Sequence, residues 1–179
     1  MTSVLQALEH HQPADDREVA DMARVLTMVR AEADPWSRSI PLHLTASALV
    51  LDPASGRVLL RWHAKQERWL QVGGHADAGE TDPWPVAIRE ATEETALDDL
   101  APWPGPEPRL AQVVIVDVVA AGGEPAHEHA DLRYLLATAR PDAVPPEVED
   151  VPLRWCTVAD ALAVADEGLA YLVRLAPQP

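Results

Sequence analysis

Between Gly73 and Leu97 the sequence reads GGHADAGETDPWPVAIREATEETAL, with a glycine pair, an isolated acid at Glu80, and then Arg89, Glu90, Glu93 and Glu94 in quick succession. On a helix, residues three and four apart share a face, so the three glutamates fall on one patch about a turn high. Arg89, four positions before Glu93, can neutralise or orient it. Like charges this close repel and call for a compensating partner. A hard divalent cation is the natural one, because it takes carboxylate and carbonyl oxygens, and Gly73-Gly74 lets the main chain approach closely enough to offer its carbonyls. The bland alternative for such a run is a solvated charged face; the glycine turn in front of it favours a ligand.

Other residues could serve the same site. Few basic residues flank the acidic run, so Arg61, His63, Lys65 and Arg68 stand out as phosphate contacts, with His75 at the rim directly after Gly74. The segment AHEHADLRYLL places His127, His129 and Asp131 on one face if it is extended. Such a row can hold zinc or iron, line the rim of the pocket, or only make hydrogen bonds at a strand start. Trp62, Trp69 and Trp84 could stack on a base, but the chain has no Phe and two Tyr, so tryptophan must also supply core volume, above all Trp69 and Trp155.

Composition narrows the partners. Lys plus Arg number 14 against 29 Asp plus Glu, a net charge of -15, which repels long nucleic acid but admits a small phosphorylated substrate screened by divalent cations. The lone Cys156 has no internal disulfide partner and reads as a small core residue. The N-terminal residues MTSVLQALEHH carry no secretory pattern, and no apolar run approaches a membrane span, so a cytoplasmic protein is expected.

The elements that must position the acids follow from periodicity. Apolar residues at three- and four-residue steps predict a helix over 15–33, ended by Asp34-Pro35. A hairpin is expected from His43–Leu51 and RVLLRW around Asp52 to Gly56, and a short strand from Trp69 to Val72. Pro83 and Pro85 suit a first helical turn, so a helix runs from Trp84 or Val86 to Ala96. Strands follow at 110–120 and 132–138 across the Gly122-Gly123 turn and EPAHEHAD. After the loop ARPDAVPPEVEDV comes a strand LRWCTV and a closing helix at 159–175. Strands with one helix in the middle and one at the end predict an α/β mixed sheet flanked by helices.

The run G-x5-E-x8-R-E-A-x-E-E-x-A-L resembles the signature of the Nudix hydrolases, G-x5-E-x7-R-E-U-x-E-E-x-G-U, with Gly74, Glu80, Arg89, Glu90, Glu93, Glu94 and Leu97 in the matching positions. The order of elements over about 42–175 also resembles that family's α/β/α sandwich. Three departures stand out: one extra residue in the loop TDPWP, Ala91 at a position usually larger, and Ala96 in place of glycine. If position 96 needs a left-handed backbone, the alanine costs on the order of 1 kcal/mol.

The resemblance implies a metal-dependent hydrolase of a diphosphate linkage in a nucleoside diphosphate joined to another moiety. Residues 41–179 would form the hydrolase domain and residues 1–40 a helical extension able to cap the sheet, dimerise or close over the pocket. Glu90, Glu93, Glu94 and the Gly73 carbonyl would bind Mg²⁺ or Mn²⁺, and Glu80 and Arg89 would brace the loop against the helix. The proton acceptor is Glu90 or an acid outside the run, and Glu128, Glu147 or Glu149 could supply a further carboxylate. Arg61, His63, Lys65, His75 and His129 would face substrate. Two other readings share the fold: an enzyme like isopentenyl diphosphate isomerase, which needs a reactive cysteine, and a noncatalytic ligand sensor, which need not keep the glutamates.

Overall fold

A computed structural model of the chain describes residues 3–120, 123, 125–145, 147–148 and 151–177. Two long strands form its spine. β1 (Leu42–Asp52) and β7 (His127–Ala137) run parallel, in register from Leu42 opposite Glu128 to Leu51 opposite Ala137. β1 is buried at all but its first residue, as expected of a strand covered on both faces. The outer edge of each is shared by two shorter strands. β4 (Val72–Gly74) pairs with β1 at Ala46–Ala48, and β2 (Arg57–His63) pairs with it at Val50–Asp52. β6 (Gln112–Val118) and β5 (Ala101–Pro102) divide the far edge of β7. Beyond β2 lie β3 (Arg68–Leu70) and β9 (Val151–Cys156), with β8 (Glu147–Val148) on β9.

Helices cover both faces, giving the expected α/β/α arrangement. The acidic helix, α3 (Pro83–Thr95), lies over β1, β4 and β7. Val86, Ala87 and Ala91 on this helix pack with Leu44, Ala46, Ala48 and Val50 from one face of β1. Ala91, at a position where a bulkier side chain is usual, is fully buried, so its small size allows close packing. The opposite face of the sheet packs Leu49, Leu51, Val58 and Leu60 against α4 (Val158–Val164) and α5 (Glu167–Arg174). Cys156 is buried there, as expected of a core residue.

The N-terminal segment contains two helices where one was expected, α1 (Ser3–His10) and α2 (Asp16–Ala31), separated around Pro13. Val4 and Leu8 of α1 and Met22, Val25, Met28 and Val29 of α2 join the same apolar cluster as α3. α2 caps the open edge of β6: Glu18 accepts the Val113 N–H at 2.6 Å and Asp21 that of Ile115 at 3.0 Å. Residues three apart on a helix match outward N–H groups two apart on an edge strand, which blocks pairing by another chain.

Other boundaries differ for identifiable reasons. The closing helix breaks into α4 and α5 because Asp166 takes a β conformation and caps Leu169. The strand expected at 69–72 is interrupted at Gln71, which separates β3 from β4. β7 begins five residues before the expected Leu132 because the polar HEHAD segment is paired on both edges. Gly122 lies outside the described residues. Among the described residues, no helix is long and apolar enough to cross a membrane.

Candidate active site

The glycine pair is where strand and acidic helix meet. Gly73 lies opposite Ser47 with φ 145°, and a Cβ there would fall 2.6 Å from the Ala46 carbonyl oxygen, so no side chain fits. Gly74 is needed for a different reason: a Cβ on it would sit 2.7 Å from Glu90 Oε2. The two bare residues let α3 lay its carboxylates directly on the backbone. Glu94 Oε2 accepts the Gly73 N–H at 3.0 Å, while its other oxygen lies 3.2 Å from the Arg61 guanidinium.

Arg89 organises the remaining acids. Its Nη2 donates to Glu80 at 2.8 Å and to the His75 carbonyl at 2.9 Å, and its Nη1 donates to Glu90 at 2.9 Å and Glu93 at 3.1 Å. One planar fork thus joins the loop after β4 to α3, the bracing expected of the Glu80 and Arg89 pair. Hydrogen bonds from Arg89 hold the Glu80 carboxyl below its ordinary range, and those to Glu80 raise the guanidinium in turn. The extra residue of the loop is absorbed before the helix starts, where Asp82 caps the Trp84 N–H at 3.1 Å. The helix ends with Ala96 at φ 57°, the left-handed conformation that the family's glycine would adopt freely.

The three glutamates do not present themselves equally. The side chains of Glu90 and Glu94 are each 16% exposed, while that of Glu93 is 59% exposed and leans on Arg89. Burial raises the carboxyls of Glu90 and Glu94 above their ordinary value, a cost that a nearby cation would relieve. Half-buried oxygen donors beside a backbone that admits no side chain fit a hard divalent ion.

Beside them opens a polar cavity of about 240 Å³. Arg61, His63, Gly73, His75, Glu94 and His129 line it, so the structure brings most of the expected residues together. Lys65 does not join them: it is exposed in the turn after β2, while Gln66 and Arg68 reach the cavity. No tryptophan lines it either. Trp62 and Trp69 meet edge-on at 5.5 Å, Arg154 lies over Trp69 at 4.5 Å, and Trp84 packs on Tyr134 at 5.3 Å. Glu128 is turned away to Arg24 at 2.7 Å. Glu149 lies outside the described residues, as does the side chain of Glu147.

Asp131 is not a partner of His127 and His129. It is buried and accepts from Arg133 at 2.7 Å, Ser47 at 2.8 Å and Thr45 at 3.1 Å. Gln71 donates to the same carboxylate at 3.3 Å, and its own Oε1 is buried with no partner among the described residues. This polar floor was missed in the sequence, although Thr45 and Ser47, alternating with Leu44, Ala46 and Ala48, were a legible sign of it. His43, also missed, is buried with Nε2 3.1 Å from that of His75, and His127 and His129 are joined in the same way at 3.1 Å. Burial depresses His43, and burial with neighbouring histidines takes His75 to about 3 and His129 to about 4, so these rings are neutral near pH 7.

The fold is an α/β/α sandwich: a mixed sheet between helical layers, with an acid-bearing helix clamped onto a Gly-Gly strand beside a polar cavity. The NUDIX domain model matches residues 41–176, and the chain belongs to that family. Solved structures agree in fold. A C. elegans Ap4A hydrolase is 24% identical with a TM-score of 0.54, the match covering 73% of this chain and 92% of that one. A NUDIX-family hydrolase from Clostridium perfringens is 19% identical with a TM-score of 0.52, covering 74% and 97%. The E. coli dihydroneopterin triphosphate pyrophosphohydrolase is 16% identical with a TM-score of 0.50, covering 74% and 92%. No curated protein matches the chain in sequence.

Proposed function

We propose that this protein hydrolyses the phosphoanhydride link of a nucleoside diphosphate joined to another moiety, with Mg²⁺ or Mn²⁺ as its cofactor. The observation that carries the reading is the pair Glu90 and Glu94, half-buried against Gly73-Gly74, with Glu94 on the wall of a polar cavity. Glu90, Glu94 and the Gly73 carbonyl would hold the cation, with Glu93 at the outer edge. When bound, such an ion neutralises charge on the diphosphate and lowers the pKa of the attacking water.

The chain's own residues supply the rest. Arg61, now on Glu94, is placed to take a phosphate oxygen, and His63 and Arg68 extend the polar wall. Glu90 accepts the proton of the attacking water; Arg89, through its 2.9 Å bond, fixes which way that carboxylate faces. Water oxygen adds to one phosphorus as its bond to the bridging oxygen breaks, giving two monophosphates. The catalytic unit is assigned to residues 41–179 in the cytoplasm, and residues 1–40 to the extension that braces β6.

Nucleotide sugars, dinucleoside polyphosphates, ADP-ribose and nucleoside triphosphates, assayed with Mg²⁺ or Mn²⁺, test the proposal. At least one should be cleaved at the anhydride, and Glu94→Gln should lower kcat by about 100-fold or more with the fold retained. Normal turnover by that variant would sink the assignment. Tight binding with no cleavage would favour the sensor reading.

A further inference from the structure

We infer a second metal site, for a zinc-type divalent transition ion, formed by His43, His75 and His129 with His127 as fourth ligand. One ligand atom from each of the first three rings lies within 4.8 Å of the others. His127 joins through its Nε2, 3.1 Å from that of His129. Tetrahedral zinc with Zn–N bonds of about 2.0–2.1 Å places its nitrogens roughly 3.3 Å apart, so the pairs at 3.1 Å are already near the spacing required.

The tautomers are set for this. His43 Nδ1 is 3.0 Å from the Ile40 carbonyl and His127 Nδ1 is 2.9 Å from the Pro125 carbonyl. Each carbonyl accepts the ring proton and leaves an Nε2 lone pair facing its neighbour, the outer-shell arrangement typical of metal-binding histidine. In each pair the other ring must then donate from Nε2; ligation moves that proton to Nδ1 and draws nitrogens now within 4.8 Å of one another onto the ion. The site differs in kind from the glutamate site, since imidazole selects transition ions over Mg²⁺. Asp131, the acid expected in this row, is saturated by Arg133, Ser47 and Thr45 and contributes nothing.

The four rings come from β1, the residue after β4, and the start of β7. An ion there would staple these segments at the cavity wall formed by His75 and His129, next to the glycine pair. The inference does not depend on the substrate proposed above.

Full-length protein stripped with chelator, then given Zn²⁺ or Co²⁺ and desalted, provides the test. Elemental analysis should find one tightly held ion per chain, and Co²⁺ should show the intense visible d–d bands of tetrahedral nitrogen ligation. The ion should survive excess Mg²⁺ and the Glu94→Gln change. His75→Gln combined with His129→Gln should weaken binding by about 100-fold or more. If that double variant does not fold, His75→Gln alone, at a half-buried position, decides by loss of the cobalt bands. Failure to retain zinc, or retention that is lost in Glu94→Gln but kept in the histidine variants, would overturn the site.

Discussion

The main-chain N–H of Gly73 donates to the Glu94 carboxylate at 3.0 Å, tying β4 to the last turn of the acidic helix. The bond exists because Gly73 has no side chain to hold β4 away from Ser47. Gly73→Ala should therefore displace β4, lower stability by about 3 kcal/mol, and remove Glu94 from register. Urea unfolding together with kcat/KM checks this. A stable, fully active alanine variant would show that the close approach is dispensable.

Arg89 distributes its donors over Glu80, Glu90, Glu93 and the His75 carbonyl. Lysine keeps the charge but loses the planar fork. Arg89→Lys is expected to cost about 2 kcal/mol and to lower kcat by at least about 10-fold, with a smaller effect on KM. Equal kinetics for the two proteins would mean that charge alone positions Glu90.

Glu18 gives a pH dependence far from the site. Burial would raise its carboxyl, but hydrogen bonds from His11, Ala14 and Val113 bring it below the ordinary value of 4.5. A depressed folded pKa means stability that is complete above the unfolded value and is lost as pH falls through the folded one. Glu18→Gln should cost about 2 kcal/mol at neutral pH, and the gap from the parent should close as acid is added. Chemical denaturation across pH measures it; a gap independent of pH would count against this role.

Ala96 holds a left-handed conformation at φ 57° while its N–H closes the helix on Thr92 at 2.8 Å. Relief of that strain outweighs the extra chain entropy that glycine loses on folding, so Ala96→Gly should stabilise by about 0.5–1 kcal/mol. For a chain of this size Tm would rise by about 1–4 °C, as read by calorimetry. A fall in Tm would show that the strain is negligible.

Local periodicity carried much of this protein. The pairing of Arg89 with Glu93, the proline-led start of α3 and the hairpin at Asp52 to Gly56 depend on residues close in the chain, so spacing made them legible; the Glu80–Arg89 brace and the left-handed position 96 followed from the resemblance to the Nudix signature. The break at Asp166 was harder, because the apolar pattern continues across it and only packing shows the chain turning, and α1, a short helix ahead of the expected one, was not read from the sequence.

The histidine cluster and the polar floor lay beyond such reading. His43 and His129 are neighbours because β1 and β7 pair in parallel, and Asp131 is buried because Thr45 and Ser47 come up beside it in that same register. Sequence alone determined that acids would crowd one turn of helix behind a glycine pair. Only the tertiary structure decided which strands brought imidazoles and hydroxyls to them, since strand register is a long-range property that shifts every side chain to the other face if it slips by one residue.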